Sequence, residues 1–185
     1  MLKQEYLKDM IFVIDEFISP EECQQFIARS EEIGYDEATI TTRSGPMMRK
    51  DIRNNTRVMF DDLELADRLF DRAKPYLVPT RSSRQPIGFN ERFRFYRYEP
   101  GQRFAPHFDG PFDRGNGERS MFSFLIYLNE DFEGGETRFF EPQEIAIKPQ
   151  TGQALAFYHQ QLHEGAVLLR GVKYVLRTDV MYGTP

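Results

Sequence analysis

Pro106-His107-Phe108-Asp109, completed far downstream by His163-Glu164-Gly165, is the pattern around which the rest of the chain arranges itself. In an extended segment successive side chains alternate between faces, so His107 and Asp109 point to the same side. One further histidine gives two imidazoles and one carboxylate. That donor set takes one face of an Fe(II) ion and leaves the remaining coordination positions open. The chain has only 3 histidines, which makes the grouping specific. His159 and His163 stand four apart, a spacing that would share a helix face, but no His-Glu-x-x-His pattern is present. Ala154-Leu155-Ala156-Phe157-Tyr158 reads instead as a strand. His163, at the head of a new strand, is the preferred third ligand, and His159 reads as a buried polar residue near it.

Outward from this pattern the chain is strands and turns. Arg92 to Tyr98, Arg103 to His107, Met121 to Leu128, Thr137 to Phe140, Glu144 to Ile147, Ala154 to Tyr158, Glu164 to Leu169 and Tyr174 to Tyr182 read as strands. Pro100-Gly101, Gly115-Asn116-Gly117, Gly134-Gly135, Thr151-Gly152 and Arg170-Gly171 separate them. Such spacing predicts a mainly β fold, a double-sheet jelly-roll barrel with helices packed outside. Upstream, Met10 to Ile14 reads as a strand. Ser19-Pro20-Glu21-Glu22 then announces a helix with a capping box, an apolar stripe of Cys23, Phe26, Ile27 and Ile33, and a stop at Gly34. A second helix is expected after Asp61 or Asp62, with Leu63, Ala66, Leu69, Phe70 and Ala73 on one face and Pro75 as its limit. The polar segment 41–55 reads as a loop or a lid, with Arg43, Arg49, Lys50 and Arg53 as candidate substrate contacts. The Gly110-to-Arg119 loop is a candidate mobile cover. The expected organisation is one domain over 1–185, with support and lid in 1–91 and the β core in 92–182.

Composition narrows the function classes. The 185 residues include 17 Phe and 9 Tyr but no Trp, which suits a sheet-rich core. A net charge of −5 argues against nucleic acid as a partner. The longest apolar stretch near the start, Met10 to Ile14, is too short for a secretory segment or a membrane span. A single cysteine, Cys23, excludes an internal disulfide framework and fits a reducing compartment, so a cytoplasmic location is expected. Oligomeric state is not readable from the chain.

The last strand adds a second chemical feature. By alternation Lys173, Val175, Arg177 and Asp179 share one face. Two stacked cations in a segment otherwise apolar enough to be core need anionic partners. A dicarboxylate held by one end would supply one, and Asp179 would pair with Arg177. Arg94 and Tyr96 share a strand face with Tyr98 and are candidates to line the same pocket.

Taken in order, Tyr98-x-x-Gly101-Gln102-x-Phe104-x-Pro106-His107-x-Asp109, Tyr127-Leu128-Asn129, Gly134-Gly135-Glu136-Thr137-x-Phe139 and His163-Glu164-Gly165 with Lys173-Tyr174 resemble the prolyl 4-hydroxylase group of 2-oxoglutarate/Fe(II)-dependent oxygenases. The resemblance runs from about Arg92 to Tyr182 and implies a double-stranded β-helix core. It implies that His107, Asp109 and His163 bind iron, that Lys173 holds the distal carboxylate of 2-oxoglutarate, that Tyr98 hydrogen-bonds it and that Thr137 lines its pocket. The cofactors implied are Fe(II), 2-oxoglutarate and O2, with ascorbate as a further one. Asp109 supplies the carboxylate that related halogenases lack, which favours hydroxylation of an unactivated C–H bond with release of succinate and CO2.

The chain departs from the collagen-type enzymes at Leu176-Arg177-Thr178-Asp179, where those carry a tryptophan. Arg177 is therefore a candidate to share the 2-oxoglutarate anchor or to face the substrate. Arg43, Arg53, Arg94 and Tyr96 are the substrate-side candidates. A prolyl or other peptidyl residue is the expected substrate. The alternatives are a free amino acid or small metabolite, and a non-catalytic, cupin-like metal-binding or sensor protein.

Overall fold

A computed structural model of the chain describes residues 1–42 and 45–184. In chain order its elements are β1 (Leu2–Leu7), β2 (Ile11–Asp15), α1 (Pro20–Ile33), β3 (Asp36–Glu37), β4 (Ile40–Thr42), β5 (Gly45–Met47), β6 (Thr56–Asp61) and α2 (Leu63–Ala73). A short 3-10 turn over Lys74–Tyr76 leads to β7 (Gln85–Phe89), β8 (Arg92–Tyr98), β9 (Phe104–His107), β10 (Arg119–Tyr127), β11 (Glu133–Gly134) and β12 (Thr137–Phe139). The remaining strands are β13 (Ile145–Ile147), β14 (Ala154–Tyr158), β15 (His163–Gly165), β16 (Leu168–Arg170) and β17 (Lys173–Gly183).

The large sheet runs β1-β2-β14-β10-β17-β8-β6-β3, with β7 also paired to β17. A four-stranded sheet, β13-β12-β15-β9, completes the jelly-roll, and β11 pairs with β16. Every pairing is antiparallel.

Strand alternation divides the core in two. Phe12, Ile14, Phe93, Phe95, Phe122, Phe124, Ile126 and Leu176 pack with the helical residues Cys23, Leu65, Leu69 and Phe70. Their chain neighbours Ile11, Val13, Tyr96, Tyr98, Tyr127 and Val175 pack with Phe139, Ile145 and Ile147 of the small sheet. The central strands are therefore buried on both faces, which is why Ile11-Phe12-Val13-Ile14 reads as an unbroken apolar run. The second face, between the sheets, also carries the polar residues of the candidate site.

α1 begins as its sequence dictates: Ser19 accepts from Glu22 N–H, and the Glu22 side chain accepts from Ser19 N–H. It ends at Gly34, whose φ of 88° suits glycine. Asp62 caps α2 by accepting from Leu65 N–H. The expected apolar stripes are trimmed at their ends, because Ile33 is 46% and Leu63 is 68% exposed. Each stands at a terminal position of its helix, beyond the neighbour it would pack on.

Several strands depart from the sequence expectations. β1, β6 and β7 were not anticipated. The segment expected as a loop from 41 contains part of the β4–β5 hairpin, and Arg43 lies outside the described residues. The single strand expected over Glu164 to Leu169 is two strands, with β15 pairing to β9 and β12 and β16 turning away to β11.

Candidate metal centre and its pocket

β9 and β15 pair so that His163 stands directly opposite His107. Asp109 follows two residues later, its backbone N–H donating to His159 O at 3.2 Å. The three ligand atoms lie within 4.8 Å of one another. His107 Nε2 is 3.7 Å from Asp109 Oδ1, and His163 Nε2 is 3.7 Å from Asp109 Oδ2.

The other ring nitrogens are already committed. His107 Nδ1 bonds Ala105 O at 2.8 Å and His163 Nδ1 bonds Gln161 O at 2.9 Å. A carbonyl only accepts, so each Nδ1 carries the proton and each Nε2 turns a lone pair toward the shared centre. Burial lowers the His163 pKa to about 4, keeping the ring neutral at ordinary pH. Phe104 stacks on His107 with centroids 3.6 Å apart and fixes that ring from one side. Two imidazoles and a carboxylate converging at this spacing fit a divalent metal ion.

Asp109 is held at both oxygens. Arg177 donates to Oδ1 at 3.0 Å, and Ser123 donates to Oδ2 at 2.5 Å. Burial alone would raise its pKa, but the Arg177 guanidinium beside it outweighs burial and holds the carboxyl well below the usual range. Arg177 also donates to Asp179 at 3.2 Å, as alternation along β17 predicts. Burial opposes its charge too, yet Asp109, Tyr96 and Asp179 raise its pKa well above the ordinary value. Arg177 is thus committed to two carboxylates of the chain, which disfavours it as the anchor of a dicarboxylate.

Lys173 is different. It is buried, donates to Gly135 O at 2.6 Å and lies over the rings of Tyr98 and Tyr127. Among the described residues it makes no ion pair. Burial drives its pKa down to about 7, with Glu136 opposing the shift. The pocket between Lys173 and the three ligands is lined by Tyr98, Thr137, Leu125, Phe157 and Val175, with Tyr96, Phe104 and Arg177 on its remaining sides. Thr137 Oγ1 bonds the Tyr127 hydroxyl at 2.7 Å. A buried cation facing a mostly apolar pocket, beside a set of metal donors, suits a small anion that reaches from the metal to the ammonium.

Of the substrate-side candidates, Tyr96 lines the pocket and Arg53 backs it. The Arg53 guanidinium lies 4.5 Å from the ring centres of both Tyr96 and Phe104 and donates to Asn55, while one terminal nitrogen has no hydrogen-bond partner. Arg94 does not line the pocket; it pairs with Asp179 at 3.3 Å. Arg49 pairs with Asp51 and Lys50 with Glu37, both at the exposed surface.

Sequence reading quoted Tyr127 without giving it a role and did not single out Ser123. A signal for Ser123 was present: it is the one polar residue within Met121–Ile126, and a buried hydroxyl requires a partner.

Residues 93–178 match the family model of the 2OG-Fe(II) oxygenase superfamily. That stretch is just under half of the chain and contains all three candidate metal ligands. Members of that superfamily use Fe(II), 2-oxoglutarate and O2, the groups that the donor set and the Lys173 pocket fit. Prolyl 4-hydroxylase 1 of Arabidopsis thaliana is 25% identical over 89% of this chain and 66% of its own length. The putative prolyl 4-hydroxylase of Acanthamoeba polyphaga mimivirus is 25% identical over 89% of this chain and 71% of its own. The chain therefore spans about two thirds of the curated relatives it matches. Among solved structures, a Pseudomonas putida prolyl-4-hydroxylase shares the fold with a TM-score of 0.69 at 20% identity, covering 94% of this chain and 93% of that one. A Trichoplax adhaerens prolyl hydroxylase, solved with a hypoxia inducible factor peptide fragment, gives 0.71 at 17% identity over 94% and 84%.

Proposed function

We propose that the protein is an Fe(II)- and 2-oxoglutarate-dependent hydroxylase of a peptidyl residue, proline in the first instance. The observation that carries this reading is the pairing of two features in one pocket: three convergent metal donors, and a buried ammonium that makes no ion pair among the described residues. His107, Asp109 and His163 hold the metal. Lys173 holds the far carboxylate of 2-oxoglutarate, with Tyr98 and Thr137 beside it. Fe(II) with 2-oxoglutarate bound there would supply the activation of O2, with one oxygen atom going to succinate, formed with loss of CO2, and the other to a C–H bond of the substrate.

The chain's own residues do the rest. The two Nδ1–carbonyl bonds hold the imidazoles in the ligating tautomer. Leu125, Phe157 and Val175 keep the pocket dry, which strengthens the Lys173–carboxylate attraction. Arg177 steadies Asp109 instead of sharing the anchor. The prolyl 4-hydroxylase relatives support a peptidyl substrate, as do the exposed Phe108 and Phe112 flanking Asp109. Arg53, with its unpartnered nitrogen, and Tyr96 are the substrate-side residues of this reading. A cytoplasmic setting is part of it as well, supported by the one cysteine being a buried free thiol.

The test is a panel of proline-containing peptides and free amino acids, incubated with Fe(II), 2-oxoglutarate and O2. Succinate release coupled to the gain of one oxygen atom on a peptide is expected. Coupled turnover on a free amino acid with none on any peptide would contradict the peptidyl assignment.

A further inference from the structure

Behind the metal carboxylate lies a line of buried polar groups that the functions assigned above leave unused. Ser123 Oγ is 2.5 Å from Asp109 Oδ2 and 3.1 Å from His159 Nδ1. His159 Nε2 is 2.9 Å from Ser120 Oγ, which accepts the Phe112 backbone N–H at 2.7 Å. Ser120, Ser123 and His159 are each at most 3% exposed, so water does not compete for these bonds. We propose that Ser123 and His159 are positioning residues for Asp109, joined in a one-way chain of hydrogen bonds that runs from Phe112 N–H to Asp109 Oδ2. This rests on the reading of Asp109 as a metal ligand.

The direction follows from counting protons. Asp109 is ionised and only accepts, so at 2.5 Å Ser123 must spend its single hydroxyl proton there; the opposite arrangement would set two lone pairs against each other. Arg177 Nη2, 3.1 Å from Ser123 Oγ, only donates and so fits the same direction. With its proton on Asp109, Ser123 can only accept from His159, so His159 carries its proton on Nδ1. In the neutral ring Nε2 is then bare and accepts from Ser120. Ser120 in turn receives the Phe112 N–H, which can only donate. The Asp109 end sets the direction, and the Phe112 end is compatible with it, since Ser120 accepts that N–H on one lone pair while giving its own proton to His159.

Asp109 is thereby gripped from two sides, by Arg177 at Oδ1 and by Ser123 at Oδ2, and the second grip is set by His159. Phe112 belongs to the loop that follows the ligands, so the same chain ties that loop to the carboxylate. Hydrogen bonds to a ligand from such outer groups typically change metal affinity about 10–100-fold.

Two measurements test this. In the wild-type apoprotein, long-range ¹⁵N–¹H correlations should show His159 protonated at Nδ1 and bare at Nε2; the opposite tautomer overturns the chain whatever any variant does. Second, Co(II) is titrated into the wild type and into Ser123→Ala, His159→Leu, the double variant and His159→Asn, each checked for native melting. Each single variant should weaken Co(II) binding by about 10–100-fold, and the double should be no weaker than the worse single. His159→Asn, whose amide nitrogen can stand where Nδ1 stood, should recover most of the loss. Wild-type affinity in His159→Leu, losses that multiply in the double, or an asparagine variant no better than leucine would each overturn the proposal. Failure of the wild type to bind Co(II) at all would instead sink the metal assignment on which it rests.

Discussion

Lys173 and Arg177 share a wall of the pocket, and their surroundings give them different work. Arg177 already contacts Asp109 and Asp179, whereas Lys173 donates to a carbonyl, lies over two aromatic rings and makes no ion pair among the described residues. Lys173→Ala should therefore raise the 2-oxoglutarate requirement far more than it weakens metal binding. Arg177→Ala should do the reverse, because it frees Asp109; equilibrium binding of each ligand separates the two outcomes. The sign of the pH dependence follows from burial, which lowers the Lys173 pKa to about 7. Below that pH the free protein already carries the ammonium. Above it, binding a dianion requires proton uptake, so 2-oxoglutarate affinity should be flat below about pH 7 and fall by up to ~10-fold per unit above it. Calorimetry in buffers of different ionisation enthalpy would show that uptake, and Lys173→Arg should flatten the profile. Alternation along β17 was enough to place both cations on one wall from sequence. Which of them paired with Asp109 was not legible, because Asp109 reaches Arg177 from the segment after β9, distant in the chain.

Elements were most legible where local chemistry and burial agree. β8 and β14 have the bounds read from sequence, since β8 is rich in aromatic residues, β14 is apolar throughout and turn residues lie beside both. The start of α1 was written in Ser19, Pro20 and Glu22. Removing that cap by Ser19→Ala should cost about 1 kcal/mol and lower the melting temperature by ~2–4 °C. β1 and β7 were missed because each is polar or broken by Pro and Gly and largely half-buried or exposed, and β6 because its apolar run is only Val58 to Phe60; each pairs with a more deeply buried strand. Gly152 was read only as a turn residue, yet its role is steric. At φ 78° an added Cβ would lie 2.2 Å from Ile18 O, where the loop leading into α1 crosses the β13–β14 turn. Gly152→Ala should destabilise by about 2–5 kcal/mol, from left-handed strain and overpacking together. Thermal unfolding would detect it, and a variant melting within a degree of wild type would contradict this packing.

At the scale of the molecule, the large sheet carries helices on one face and chemistry on the other, and period-2 alternation assigns each residue to its side. The donor set was legible because two of its members lie two residues apart and only one plausible third histidine follows. The supports of those donors were not, because they join strands that meet only after folding: Ser123 on β10, His159 after β14 and Arg177 on β17. All of them serve one claim, that His107, Asp109 and His163 grip a single Fe(II) beside the Lys173 pocket. The most direct measurement is the visible spectrum of the apoprotein after anaerobic addition of Fe(II) and then 2-oxoglutarate. A weak charge-transfer band should appear in the wild type and vanish in His107→Ala and in Asp109→Ala. A folded wild type that gives no band, or a band unchanged in both variants, would contradict the account.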